Sequence, residues 1–306
     1  VPRTQGNNRA FKEGIVKPAT FEPQFIEVDP LIAAFRRQVR ASEFDICEMA
    51  ITTYVCAREH GKPMTAVPVP LVRQFHHGAM LVNTKAGIKS PKDLEGKRVG
   101  VNRGYTVTTG VWARGILAEE HGVDLSEITW VLSGDEHVAE YKAPANVVPI
   151  DPAKKMADML ASGELAAAIG VDIEHPDVKP LIPNAMDAGI AAYKARGHYP
   201  INHLVVIRDD LIAKYPGLAA DVFNTFAASR RLYVEQLRAG KIEKPDIYDK
   251  THNAVIAAGG DPLPYGVEAN RKTLETLIGH ALSQGIITRK VSVDSLFAAE
   301  TLTLTG

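Results

Sequence analysis

Cysteine is scarce in this chain: 306 residues carry two, Cys47 and Cys56. With no framework spacing, both are expected as free thiols, and a disulfide-stapled fold is excluded. Charge of one sign is not in excess either. Lys and Arg number 35 against 36 Asp and Glu, a net charge of −1. No global field therefore draws nucleic acid or an anionic membrane, and any anion must be recognised locally. No apolar run approaches the ~18–20 residues of a spanning helix, so membrane insertion is not expected. The opening Val-Pro-Arg-Thr-Gln-Gly reads as no signal peptide. No Gly-x-Gly-x-x-Gly or P-loop is present, and neither Ser133 nor Ser162 sits in a Gly-x-Ser-x-Gly setting. No His-x-x-His, His-Glu-x-x-His or Cys-x-x-Cys spacing supports a metal, so none is expected. The lack of a helix-turn-helix segment or basic arm disfavours the effector lobe of a transcription factor.

What is present is an ordinary globular balance, 45% hydrophobic and 23% charged, with strand-like and helix-like segments alternating. Strands are expected at Phe25–Val28, Phe44–Glu48, Ala66–Val72, Ala79–Asn83, Val99–Val101, Ile128–Leu132, Ala166–Ile169 and His203–Ile207. Helices are expected from Pro30 to about Arg40, from Ala50 to His60, and from Asp151 to Ser162, with loops at Lys142–Pro152 and Pro176–Pro183. The C-terminal third is almost strandless, with helices over roughly Asp209–Gln236 and Tyr265–Gln284. This pattern predicts an α/β protein with mainly parallel sheets. Two lobes are expected, residues 1–78 with 200–306 and residues 79–199. The chain would cross between them twice and leave a ligand cleft there.

The most informative segment runs from Lys97 to Arg114. A short apolar strand leads into the turn Asn102-Arg103-Gly104-Tyr105, then into a helix whose start carries Thr106, Thr108 and Thr109. Backbone N–H groups, hydroxyls and the Arg103 guanidinium would converge there, an arrangement that suits a carboxylate or a phosphate. The bland alternative is a helix cap with a solvent-facing arginine. His76 and His77 stand at the first crossing, where extended backbone would turn only one of them to the cleft; otherwise they are surface or hinge histidines. His203, with Asn202 beside it, begins an apolar strand and belongs either at a cleft mouth or buried on a backbone partner. Glu48 ends a strand, where α/β ligand sites form, or serves the following helix start. Thr52 and Thr53 in that helix start would offer a second cradle. Arg3 reaches the cleft or lies in a loose terminus. Arg36, Arg37 and Arg40 read as a solvated helix face.

Several runs carry a resemblance. Residues 87–101, followed by a turn and helix, resemble the type 2 periplasmic-binding-protein fold. Glu43-Phe-Asp-Ile-Cys-Glu-Met49, Phe75-His-His77, Thr109-Gly-Val-Trp-Ala-Arg-Gly115, Tyr199-Pro-Ile-Asn-His203 and Pro264-Tyr-Gly266 resemble the 4,5-dihydroxyphthalate decarboxylase family. The resemblance spans nearly the whole chain and implies cofactor-independent decarboxylation of a hydroxylated aromatic dicarboxylate, a small anionic aromatic partner. On that reading the helix N-terminus, Arg103 and the threonines anchor a carboxylate. Glu48 or a histidine polarises a hydroxyl, and His76, His77 or His203 protonates the ring carbon. The alternative is a solute-binding protein that captures such an anion for a transporter. The enzyme would be cytoplasmic and the binder periplasmic; a homo-oligomer is left open.

Overall fold

The computed structural model describes residues 1–306. The chain begins with α1 (Gly6–Lys12), α2 (Leu31–Ala41), β1 (Ile46–Ala50), α3 (Ile51–Glu59) and β2 (Met64–Arg73). Next come β3 (Met80–Asn83), β4 (Arg98–Val101), α4 (Thr108–His121), β5 (Thr129–Leu132) and β6 (Val147–Pro149). After α5 (Met156–Ser162), β7 (Ala167–Ile169), β8 (Val178–Pro180) and α6 (Ala185–Arg196), the chain returns through β9 (Ile201–Arg208). It finishes with α7 (Asp209–Lys214), α8 (Leu218–Arg238), α9 (Ile247–Ala257) and α10 (Arg271–Ser283).

Two sheets result. One has the order β1-β9-β2, the other β6-β5-β4-β7-β3-β8. In the larger sheet β6, β5, β4 and β7 run parallel, and β3 is antiparallel to both β7 and β8. The smaller sheet departs from the parallel expectation, because β9 is antiparallel to both neighbours. The reason is topological: β9 arrives from the other sheet and inserts between β1 and β2, instead of following a helical crossover. Phe25–Val28 forms no strand. Short edge strands β6 and β8 occupy two stretches expected as loops. They are three-residue segments, half-buried to exposed, with no apolar alternation to announce them.

One apolar cluster of 47 buried residues runs beneath both sheets, from Val39 and Met49 to Trp130 and Leu277. Helix α4 lies within it. It buries Val111, Trp112, Ile116 and Leu117, and Gly122 closes it in the left-handed conformation at φ 64°. The Trp112 indole N–H donates to the carbonyl of Ile201 at 3.0 Å, which ties α4 to the start of β9. The two crossing segments are tied as well. Gln74 N–H donates to the Pro200 carbonyl at 3.3 Å, and buried Arg73 donates to the Tyr199 carbonyl and to Asn270 Oδ1. No helix is long and apolar enough to cross a membrane.

Candidate functional site

Register decides the central pair. Ala50 lies opposite His203, and Glu48 opposite Val205. With a period of two, Glu48 and His203 therefore share a face as diagonal neighbours. His203 Nδ1 meets Glu48 Oε1 at 2.6 Å, and Glu48 Oε2 accepts the Arg3 backbone N–H at 2.9 Å. Glu48 is 0% exposed in its side chain and His203 19%. The carboxylate is sealed behind the ring, so it cannot itself reach a ligand hydroxyl. Phe35 packs edge-on against the imidazole with centroids 5.0 Å apart. With Nδ1 engaged, the other ring nitrogen is left for a cavity of about 400 Å³ lined by Arg3, Phe35, Arg103 and His203. The Arg3 guanidinium also donates to the Tyr248 hydroxyl at 3.2 Å.

Arg103 is exposed and sits at φ 73°, a left-handed conformation uncommon for a side-chain-bearing residue. The fold holds it there from several sides. Its N–H donates to Ser133 Oγ at 2.7 Å, Ser133 Oγ donates to Asn102 Oδ1, and Gly134 N–H donates to the Arg103 carbonyl. Arg103 also lines a second cavity of about 200 Å³ at the start of α4, with Asn102, Thr109, Gly110 and Gly170. The first-turn N–H groups of α4 have no partner within the helix, so this end offers donors and the positive end of the dipole.

The rest of the expected cradle is already occupied. The Glu136 carboxylate accepts the N–H of Tyr105, and the N–H and hydroxyl of Thr106 at 3.2 and 2.6 Å. A Cβ on Gly104 would fall 2.6 Å from Glu136 Oε2 and would push that carboxylate off the turn. The donors of Tyr105 and Thr106 are thus spent on Glu136, and Gly104 shapes the turn against that carboxylate. Thr52 and Thr108 are committed to each other: Thr52 Oγ1 donates to the Thr106 carbonyl at 2.6 Å and lies 2.8 Å from Thr108 Oγ1. Those bonds join the starts of α3 and α4, and Thr53 is buried beside them. The expected second cradle is therefore a helix–helix joint.

His76 and His77 do not come to either cavity. His76 is buried and bonded to Asn202 Oδ1 at 2.9 Å, a brace between the two crossing segments. Burial pushes its pKa down to about 4 despite that bond. His77 sits 3.1 Å from Glu120, whose carboxylate also takes Arg196. Burial works against the Glu120 charge, yet His77 and Arg196 hold its pKa below the usual value. The segment is a tight turn, not extended backbone, so both side chains fold inward. Arg36 and Arg40 are not simply solvated: both pair with Asp135, bridging α2 to the loop after β5, while Arg37 pairs with Glu43. Cys47 and Cys56 are buried free thiols, each with its pKa pushed up to about 12 by burial. Glu136 left no local signal in the sequence. Arg114 did, as a charge set within the apolar run Val111-Trp-Ala-Arg-Gly-Ile-Leu117.

Comparison with known proteins settles the family. The chain is 32% identical over 306 aligned residues to a 4,5-dihydroxyphthalate decarboxylase of Comamonas testosteroni, covering 94% of this chain and 92% of that one. The chain belongs to the 4,5-dihydroxyphthalate decarboxylase family. A second member, from Pseudomonas putida, is 35% identical over 201 residues, 61% of this chain and 77% of that one. A family model described as "ABC transporter, phosphonate, periplasmic substrate-binding protein" matches residues 26–168. Among solved structures, the periplasmic aliphatic sulphonate binding protein SsuA of Escherichia coli is similar at 14% identity and a TM-score of 0.49, covering 92% of this chain and 82% of that one. The chain has the α/β type 2 periplasmic-binding-protein fold, with a mixed sheet and a smaller antiparallel one flanked by helices.

Proposed function

We propose that this protein removes one carboxylate, as CO2, from a hydroxylated aromatic dicarboxylate such as 4,5-dihydroxyphthalate. The observation that carries the reading is the His203–Glu48 pair, whose imidazole borders a cavity shared with Arg3 and Arg103. A site for capture alone needs cations and donors; a histidine oriented by a buried carboxylate adds a positioned proton source. Glu48 accepts the Nδ1–H, so the nitrogen facing the cavity has a proton to give when the ring is an imidazolium. In 4,5-dihydroxyphthalate each carboxylate-bearing carbon has a hydroxyl para to it. That hydroxyl loses its proton to solvent water and pushes electron density into the ring, and the carbon takes a proton from His203. The carbon–carboxylate bond then breaks, CO2 leaves, and the bonding pair returns to the ring, restoring aromaticity. The phenolate oxygen regains a proton. The net reaction consumes one proton and needs no electron acceptor or cofactor. Arg103 and Arg3 hold the dianion in place. The strength of that hold is what the second carboxylate contributes to the barrier at the first.

The test is calorimetric binding of 4,5-dihydroxyphthalate and a phthalate panel, with CO2 release followed in the same samples. Binding with CO2 release supports the decarboxylase. Tight binding without CO2 would replace it with capture of an aromatic anion, the role favoured by the substrate-binding family model that matches residues 26–168.

A further inference from the structure

We infer that Asp29 reads the ring hydroxyls, accepting a hydrogen bond from a substrate held in the cavity beside His203. The inference rests on the dihydroxyphthalate reading above and names the group that makes the same site selective for a hydroxylated ring. Glu48 cannot fill that role, because its carboxylate is sealed behind the imidazole. Two other acidic residues border the same cavity of about 400 Å³, Glu27 and Asp29. Glu27 is committed to Lys12, whose ammonium also donates to the Pro2 carbonyl at 3.0 Å. Asp29 is exposed, and its carboxylate takes part in no hydrogen bond or ion pair. It stands just before α2, whose N-cap is Pro30 and which no side chain caps, so the helix start does not use that carboxylate either.

The charges around this space suit one kind of ligand. Arg3, Arg103 and His203 border the cavity together with Asp29, yet Asp29 pairs with neither guanidinium. Opposite charges therefore face one cavity without neutralising each other. In 4,5-dihydroxyphthalate the two carboxylates share one edge of the ring and the two hydroxyls share the opposite edge. With both carboxylates on Arg3 and Arg103, the hydroxyl edge needs an acceptor elsewhere on the wall, and Asp29 is the uncommitted one. Ile32 and Phe35 offer the ring apolar contact between the two ends. The hydroxyl para to the departing carboxylate ionises, while its neighbour keeps its proton and donates a hydrogen bond to Asp29. A bond to an ionised acceptor is the strong kind. A dicarboxylate without hydroxyls meets only like charge there, so the residue that favours the diol also disfavours its unhydroxylated analogue.

The experiment compares calorimetric affinities of 4,5-dihydroxyphthalate and unhydroxylated phthalate for wild type, Asp29→Ala and Asp29→Asn. Wild type should prefer the diol by about tenfold or more. Asp29→Ala should lose most of that preference, weakening the diol while phthalate binds as well as before or better. Asp29→Asn keeps a carbonyl acceptor without the charge and should retain part of the preference. Because a merely structural role ahead of α2 would weaken both ligands alike, equal losses overturn the inference. An unchanged ratio in Asp29→Ala, or no preference in wild type, overturns it too. CO2 release is scored separately. An Asp29-dependent preference without CO2 sinks the decarboxylase and leaves this inference standing; CO2 release with an Asp29-independent ratio does the reverse.

Discussion

His203 with Glu48 and His77 with Glu120 are the same chemical pair in two settings. In the first, the carboxylate is fully buried, and the imidazole, 19% exposed, borders a cavity flanked by Arg3 and Arg103. In the second, the imidazole is only 3% exposed, its Nε2 faces Glu120, and its Nδ1 is buried without a partner. Arg196 shares the Glu120 carboxylate and neutralises it. A histidine–carboxylate pair can deliver a proton to a ligand only when the free nitrogen of the ring borders a space the ligand can enter. The His77 cluster instead fastens α6 to α4.

The sharpest way to break that contrast is to remove each imidazole. His203→Asn should lower kcat by about a thousandfold while leaving ligand affinity within a fewfold. His77→Asn should lower the melting temperature with kcat changed only severalfold. Equal kinetic losses in steady-state assays of folded protein would erase the distinction. Next in size is Glu48→Gln, which keeps the shape and removes the charge that stabilises the protonated ring; kcat should fall by about a hundredfold. A wild-type kcat there would mean that the carboxylate only packs. Arg103→Ala comes third: the Kd for the dicarboxylate should rise by about tenfold or more, with a smaller change in kcat. Unchanged affinity would remove Arg103 from the site.

The smallest effect is on stability and sharpens the structural side of the contrast. His76, His137, His252 and His280 are all held to a pKa of about 4 by burial, against about 6.5 in an unfolded chain. Below pH 6.5 the unfolded chain takes up protons that the folded one refuses, so their contribution is whole above that pH and is lost as pH falls towards 4. Each adds a slope of at most about 1.4 kcal/mol per pH unit. The melting temperature should fall accordingly between pH 7 and 4.5, and His76→Gln should make that fall shallower. A flat profile over this range would show that these histidines are not held neutral.

How far the sequence reaches differs between elements. The helix from Thr108 is readable, because Gly122 stops it and Thr106, Thr108 and Thr109 crowd its start. The strand at His203 is readable from its continuous apolar run. His203, Glu48 and Arg103 are singled out at expected strand ends and a turn, although β1 runs on to Ala50 and β9 starts at Ile201, so Glu48 and His203 lie inside their strands. Edge strands β6 and β8 are not, because three residues are too few to carry a periodicity. The use of Thr52 and Thr108 on each other, or of Asn202 on His76, joins residues over 50 positions apart and leaves no local pattern.

By itself the sequence determined the α/β alternation, the family through motifs spread along the chain, and the short set of groups able to handle an anion and a proton. These follow from local propensity, spacing and residue chemistry, which a linear chain carries in full. Which histidine faces a cavity, and whether a carboxylate is free or spent on its own backbone, were decided only by the tertiary structure. Strand register set the His203–Glu48 pair, and the loop after β5 brought Glu136 into the expected cradle. Desolvation and pairing depend on what surrounds a group in space, and those surroundings are assembled from parts of the chain that do not know one another in sequence.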